Sequence, residues 1–523
     1  MELIDKTIGQ CLKEQAVQNG ELNAMEMEGY VWNFRQLDTV TDRFVLQFKE
    51  LGITYGTHVG IWSVNTPIWV TLFLALVKMG AVPVLINTCY KAEEAKGILN
   101  YSDVEVLFYG IRYKTIDYGE IVSAIRGETP KVRHFIPMDG FGDLFADSEL
   151  TEAERAAADE AESHVNPQDT ACMIFTSGTT SLPKGVMLSH YSVLNNSRAQ
   201  IEGMGWKKGD RMCITVPLFH CFGITTGIVS CVVGGISMYL IPYFKTAKVW
   251  EALIKGNCTI LNGVPSMFLA LIRKPEYADF RADGLKSGLV AGSPVTKDEF
   301  LEICQRFPNI HLQPAYGQTE TSPCVTLAKW DEPNEEKAVG AGYVLEHMEL
   351  RIADLRTGET LGANERGEVQ VKGYNVMKGY YNLPQATANA FTADGWLRTG
   401  DIGCLDEKGE LHITGRLKEI IIRAGENISP QEIEMVIRRL PWVADVKVVG
   451  VPAAVMQEEI AACIVPKPGY KVDAKQVRDL VRQSLAHYKI PTFVLEFAEF
   501  PLNASGKIHL KVLKEQVIAR VNQ

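Results

Sequence analysis

Through roughly the first 400 residues, short apolar runs alternate with segments whose apolar positions recur every three or four residues. That alternation points to an α/β architecture with largely parallel sheets, because parallel strands need long crossovers and helices supply them. The stretch Thr66–Ile86 shows the pattern. Thr66 is placed to cap a helix, Pro67 fits its first position, and Gly80 ends it; Val82–Ile86 then reads as a buried strand. Lys78, Gly80 and Pro83 interrupt the apolar run, so it reads as a buried helix followed by a strand rather than as a membrane span. A second run, Gly223–Ile241, carries no charge. Gly234 and Gly235 divide it into a helix of about three turns and a strand of about six residues. No integral membrane segment is expected.

The chain has 523 residues, 53 Lys and Arg against 63 Asp and Glu, and 46% hydrophobic residues. That length is enough for about three or four structural units around large cores. An acidic balance gives no global attraction for nucleic acid, so any anion must be held by local arrangement. The 11 cysteines form no C-x-x-C pair. They read as reduced thiols of a cytoplasmic protein. The N-terminus shows no secretory signal. Residues 143–162 are rich in acids and alanine, with Arg155 as their one base, and read as a solvated surface helix or linker.

The last hundred or so residues change character. Glu410–Ile413 and Ile420–Ile422 read as strands. Ser429 and Glu432 have capping-box spacing around Pro430, and Ile433, Val436, Ile437 and Leu440 follow on one helical face. Val446–Val451, Ala461–Val465 and Phe493–Phe497 read as strands, and Lys475–Ala486 as a helix. This is the pattern of a small, separate α+β domain.

Five segments carry chemistry. Phe175-Thr176-Ser177-Gly178-Thr179-Thr180-Ser181-Leu182-Pro183-Lys184-Gly185 follows the apolar strand Ala171–Phe175. It offers backbone amides, hydroxyls and one cation to a polyphosphate. It is not a Walker A loop, since the only Gly-Lys pair, Gly506-Lys507, is followed by isoleucine. The others are Tyr316-Gly317-Gln318-Thr319-Glu320, Gly395-Trp396-Leu397-Arg398-Thr399-Gly400-Asp401, Gly415-Arg416-Leu417-Lys418-Glu419 and Asn503-Ala504-Ser505-Gly506-Lys507-Ile508. Singly, each has an ordinary structural explanation as a turn, an ion pair or a core aromatic.

Together, in this order and spacing, they resemble the adenylate-forming, AMP-binding superfamily: acyl-CoA synthetases, stand-alone adenylation domains and firefly-type luciferases. The resemblance spans essentially the whole chain and is nearest to acyl-CoA ligases. It implies a large N-terminal domain, residues 1–416, of stacked α/β sheets plus a small β-barrel-like subdomain. It also implies a small mobile α+β lid, residues 417–523, hinged near Lys418.

The implied reaction joins a carboxylic acid to ATP, giving acyl-AMP and pyrophosphate; the thiol of coenzyme A then displaces AMP. By the resemblance, Thr176, Ser177, Gly178, Thr179, Thr180 and Lys184 hold the β- and γ-phosphates. Glu320 binds Mg²⁺ and Thr319 touches the α-phosphate. Tyr316 stacks on adenine beside Gly317 and Gln318, with Gly292-Ser293-Pro294 as the other wall. Asp401 accepts the ribose hydroxyls with Arg416 assisting. Lys507 bridges the α-phosphate and the attacking carboxylate, and His220 gates the acyl pocket. Ala424 and Gly425, followed by Glu426-Asn427, line the pantetheine tunnel. Ser181 stands where the family has glycine.

Between Arg211 and Trp250 there is no Asp or Glu. A substrate ammonium buried there would lack a counter-charge. The expected substrate is therefore an apolar acid: a medium- or long-chain fatty acid or an aromatic acid, with Phe222, Thr225 and Val264-Pro265 as candidate pocket walls. The alternative is a stand-alone adenylating enzyme that loads the thiol of an acyl carrier protein. The sequence does not give the oligomeric state.

Overall fold

The computed structural model describes residues 1–145, 149–176, 183–423, 426–453, 457–485, 487–503 and 507–521. The chain divides into two compact units. One comprises Met1–Leu350 with Val371–Leu397, the other Arg351–Gln370 with Arg398–Gln523.

Among the described residues, the first unit carries a seven-stranded and a nine-stranded sheet. Both are parallel at the centre and antiparallel towards an edge. In the seven-stranded sheet, Val82–Leu85, His58–Trp62, Val106–Tyr109 and His134–Pro137 run parallel, and Thr170–Thr176 joins them beside Val82–Leu85. Lys184–Ser189 then returns antiparallel to Thr170–Thr176, and Gly379–Tyr380 adds antiparallel to that strand. The nine-stranded sheet is parallel through Ser237–Leu240, Arg211–Ile214, Ile260–Leu261, Ser287–Val290 and His311–Gly317. It turns antiparallel at Cys324–Leu327.

The helix after Thr66 forms as its sequence dictates. It spans Pro67–Lys78, and the Thr66 hydroxyl accepts the Trp69 amide. Every residue from Trp69 to Lys78 is buried, Lys78 included. Lys78 is tolerated there because Asp38 lies 2.9 Å and Asp42 2.6 Å from its ammonium. Burial opposes that charge, but Asp38, Asp42 and Glu162 outweigh it and hold the ammonium well above its ordinary pKa. Among the described residues no helix is long and apolar enough to cross a membrane.

Three local expectations need correction. The helix expected after Gly223 is not α-helical at first. Phe222–Val229 winds as a π-helix, and only Ser230–Gly234 is α-helical before the four-residue strand Ser237–Leu240. A Cβ on Gly223 would lie 2.3 Å from the Pro217 carbonyl oxygen, so only glycine fits this close approach. Residues 143–162 are not wholly solvated. Helix Glu152–Ser163 is mostly exposed, but Glu162 is buried and held above the usual carboxylate range by that burial, against the pull of Lys78. Ser429 caps helix Pro430–Ile437 without a side-chain capping bond. Its hydroxyl donates to the Thr414 carbonyl instead, and Glu432 pairs with Lys489 at 2.7 Å.

The second unit holds most of a four-stranded sheet in the order Met348–Ala353, Gly367–Gly373, Leu397–Leu405, Leu411–Arg416. It also holds a five-stranded sheet whose long hairpin, Val443–Ala453 and Gln457–Pro466, carries apolar residues on both faces. The strand period of two explains why. Val446, Val448, Ile460, Ala462 and Ile464 pack with Val477 and Val481 of helix Ala474–Ser484 and with Ile433 and Ile437 of helix Pro430–Ile437. The intervening Val449, Val451, Ala461 and Cys463 pack with Leu513 and Val517 of helix Leu510–Val521. All 11 cysteines are free thiols, nine of them buried.

Candidate active site

In the first unit, several of the motifs leave their sheets at the C-terminal ends of strands, where α/β sheets place their ligands. Thr176 ends its strand and is paired in register with Lys184 of the returning strand. Both are half-buried. Ser177, Gly178, Thr179, Thr180 and Ser181 lie outside the described residues.

The Lys184 ammonium sits 4.4 Å from the centroid of the Tyr380 ring. The Tyr380 hydroxyl donates to Glu320 Oε1 over 2.9 Å. One tyrosine therefore spans the cation of the returning strand Lys184–Ser189 and the carboxylate of the Tyr316–Glu320 motif. Burial, then the Glu320 charge and hydrogen bond, push the Tyr380 phenol well above its usual pKa, so it stays a donor. Sequence reasoning missed Tyr380. Its signal was the Gly379-Tyr380-Tyr381 run, whose pairing with Val186 and Met187 no local pattern discloses.

Strands Ser287–Val290 and His311–Gly317 pair in parallel, with Val290 opposite Pro314. Gly292-Ser293-Pro294, just beyond the first strand, and Tyr316, near the end of the second, therefore lie at the C-terminal ends of adjacent strands. The three residues of the loop are exposed and Tyr316 is half-buried. The turn after Tyr316 is tightly built. A Cβ on Gly317 would come within 1.7 Å of the Pro323 carbonyl oxygen. The Gln318 amide donates to the Thr321 hydroxyl at 3.1 Å, which fixes the short 3₁₀ turn Thr319–Thr321. Thr319 and Glu320 are half-buried. The buried Cys221 thiol lies 3.7 Å from the Thr319 hydroxyl, and its neighbour His220 packs against Phe219 with ring centroids 4.4 Å apart. The His220–Cys221 segment and the Thr319 turn thus meet.

In the second unit, Asp401 and Arg416 face each other across the antiparallel pair Leu397–Leu405 and Leu411–Arg416. Arg416 Nε lies 3.0 Å from Asp401 Oδ1; the aspartate side chain is 5% exposed and the arginine 60%. The carboxylate is sunk and held by a cation that also reaches solvent. Lys507 is exposed and tied twice to Asn503: its amide donates to Asn503 Oδ1, and the Asn503 amide donates to the Lys507 carbonyl. Ala424 and Gly425, and the side chain of Lys418, lie outside the described residues.

Asp406, Glu410 and His412 also approach one another closely enough to hold a metal ion. Asp406 Oδ1 already accepts the Lys408 and Glu410 amides, which is the architecture of a turn.

The AMP-binding enzyme family matches residues 12–381, and its C-terminal domain matches residues 432–507. The chain belongs to this family. It is an adenylate-forming enzyme of the acyl-CoA synthetase type. It is 35% identical to a putative acyl-CoA synthetase, YngI, of Bacillus subtilis, over 100% of this chain and 99% of that protein. It is 33% identical to the human mitochondrial medium-chain acyl-CoA ligase ACSF2, over 99% of this chain and 89% of that protein. Among solved structures, a Mycobacterium tuberculosis fatty acyl CoA synthetase superposes with a TM-score of 0.79 at 29% identity, covering 98% of this chain and 99% of that one. ATP-bound MatB from Rhodopseudomonas palustris superposes with a TM-score of 0.86 at 25% identity, with the same coverage of each chain. The large and small domains expected of an adenylate-forming enzyme, built on mixed sheets, are the fold observed.

Proposed function

We propose that this AMP-binding enzyme is an ATP-dependent ligase that converts an apolar carboxylic acid, a medium- or long-chain fatty acid or an aromatic acid, to its coenzyme A thioester. The observation that carries the reading is the Lys184–Tyr380–Glu320 cluster, which sets a cation and a carboxylate beside the phosphate-loop hairpin. The apolar character of the acid rests on the wholly buried, uncharged helical segment Gly223–Val229.

In the first step a carboxylate oxygen attacks the α-phosphorus of ATP and the bond to the β-phosphate breaks, releasing pyrophosphate. Two anions must meet, so positioning and charge neutralisation dominate. Lys184 and Thr176, with Ser177, Gly178, Thr179 and Thr180, hold the β- and γ-phosphates. Tyr316, Gly317 and Gln318 face adenine from one side, and Gly292, Ser293 and Pro294 from the other. Thr319 meets the α-phosphate. Asp401 accepts the ribose hydroxyls, and Arg416 keeps that buried carboxylate neutralised. Lys507 bridges the α-phosphate and the incoming carboxylate, and His220 stands at the acyl entrance.

Glu320 fits Mg²⁺. It is a hard oxygen donor whose second contact, the Tyr380 hydroxyl, orients it, and Mg²⁺ is commonly held by one or two carboxylates together with substrate phosphates. Bound there, Mg²⁺ supplies charge neutralisation to the polyphosphate.

In the second step the coenzyme A sulfur attacks the acyl carbon and AMP leaves. Residues 417–523 act as the lid and Lys418 as its hinge, with Ala424 and Gly425 on the pantetheine path. The free thiols suit a reducing, cytoplasmic setting.

The test is AMP and pyrophosphate release across octanoate, dodecanoate, hexadecanoate and benzoate, each with and without coenzyme A. Acid-dependent pyrophosphate release with AMP release that requires coenzyme A is expected. Acyl-AMP formation that coenzyme A does not discharge, and an acyl carrier protein does, would replace this reading with carrier loading.

A further inference from the structure

A chain of buried amides runs from the π-helix beside the His220 segment to the turn that carries Thr319 and Glu320. It starts at Thr226, whose hydroxyl donates to Gln200 Oε1 at 2.7 Å. Gln200 Nε2 donates to Asn196 Oδ1 at 2.9 Å. Asn196 Oδ1 also accepts the Cys324 amide at 3.1 Å, and its Nδ2 donates to the Cys324 carbonyl at 2.7 Å. Asn375 Nδ2 donates to that same carbonyl and to the carbonyl of Thr321, both at 2.8 Å. Ser322 donates back to the Asn375 carbonyl at 2.7 Å. Thr226, Gln200, Asn196, Thr321, Ser322 and Asn375 are all within 2% of complete burial.

The polarity of this chain is not arbitrary. Cys324 offers one donor and one acceptor, so the Asn196 amide can face it in one orientation only. That orientation points Asn196 Oδ1 at Gln200 and requires Gln200 to present Nε2. Gln200 Oε1 is thereby left facing Thr226, which must donate. Each link is set by the backbone at the exit of the catalytic turn, and a flipped amide anywhere would oppose two like groups in a buried site.

The far end is an irregular helix. Phe222–Val229 is a π-helix, a form that recurs at functional sites. The Thr225 carbonyl is stabilised by hydroxyls from two neighbours, Ser197 and Ser230, each at 2.8 Å.

We propose that Gln200 is a positioning residue that couples the two substrate sites: an acid seated against the π-helix sets the Thr319–Glu320 turn through Thr226, Gln200, Asn196 and Cys324. This rests on the acyl pocket and ATP site assigned above. Breaking the link leaves each site able to bind its own ligand and removes the effect of one on the other.

The test measures binding of α,β-methylene-ATP with Mg²⁺, which cannot be adenylated, with and without whichever panel acid the wild-type enzyme turns over fastest. Wild type is expected to bind the nucleotide at least about fivefold more tightly when the acid is saturating. Gln200→Met and Thr226→Val, both close in shape to the native residues, should bring that ratio below about twofold, and Thr226→Ser, which keeps the hydroxyl, should restore it. A purely structural role lowers the melting temperature of the variants and leaves the ratio intact, which overturns the proposal. A wild-type ratio near one overturns it as well, while the ligase assignment survives. If no panel acid supports AMP release, the ligase reading itself fails, and this inference falls with it.

Discussion

The Tyr380 hydroxyl donates to Glu320 over 2.9 Å. The same ring faces the Lys184 ammonium, so two contacts of different kinds can be removed separately. Tyr380→Phe keeps the ring and deletes the bond to the carboxylate. A hydrogen bond to a charged group contributes about 1.5–3 kcal/mol, so pyrophosphate release should fall about 10- to 100-fold, with a raised Mg²⁺ requirement. Tyr380→Leu also removes the ring under Lys184 and should cost more, chiefly as a higher ATP KM. Magnesium titrations of both variants check this. A phenylalanine variant with wild-type magnesium dependence would show that the phenol does not orient Glu320.

The roles proposed for Lys507 and Lys418 fall on different half-reactions. Lys507→Ala removes the cation assigned to the first step, so acyl-AMP formation should drop by about 10²–10³, the usual cost of one well-placed donor. Conversion of supplied acyl-AMP and coenzyme A to thioester should persist. Lys418→Pro fixes φ at the proposed hinge and should do the reverse, slowing thioester formation more than adenylation. Separate assays of the two steps decide it. Equal loss of both steps in the Lys507 variant would remove that residue from adenylation.

Which of these residues were legible in the sequence follows from how local their signals are. The helix Pro67–Lys78, with Thr66 as cap, was readable because cap, first turn and stop lie within a few residues. The two-faced hairpin of the second unit was readable as strands because each face repeats every second residue. Tyr380 was not, because its role depends on pairing with Val186 and Met187 almost 200 residues away. The Asn196–Cys324 link was hidden for the same reason. Its residues sit on a helix and a strand 128 positions apart, and polar residues on a helix read as a solvated face. Ser429 shows the opposite failure. A correct local spacing was overridden because the Thr414 carbonyl competes for its hydroxyl.

Lys78 tests how the first unit tolerates charge in its core. Its side chain is 0% exposed and the partners Asp38 and Asp42 are 14% and 6% exposed. Lys78→Met should destabilise the enzyme by about 3–5 kcal/mol, since it strands carboxylates that stay buried. Adding Asp38→Asn and Asp42→Asn to that variant should recover part of the loss, because the two acids paired with Lys78 go too and only Glu162 is left. Urea unfolding of the single and triple variants measures both. A single variant as stable as wild type would mean that the cluster relaxes into solvent.

His190 gives the fold a pH dependence whose sign can be worked out. The ring is completely buried, and its Nδ1 accepts the Ile8 amide at 3.2 Å. Burial, opposed by Asp169 and aided by Lys378, lowers its pKa from 6.5 to about 4. Between those values the unfolded chain binds a proton that the folded chain refuses, so stability rises with pH across that window. Falling pH should therefore cost up to about 3 kcal/mol by pH 4, with no further loss from this group below it. Asp42 and Glu162 act in the opposite sense. Burial raises both carboxyls, so the folded state takes up their protons first and gains stability as pH falls. His190→Gln can still accept the Ile8 amide and does not titrate, so comparison with wild type isolates the histidine. Urea midpoints at pH 7.5, 6 and 5 should fall less steeply in His190→Gln than in wild type. Parallel slopes would mean that the ring is protonated in the folded enzyme.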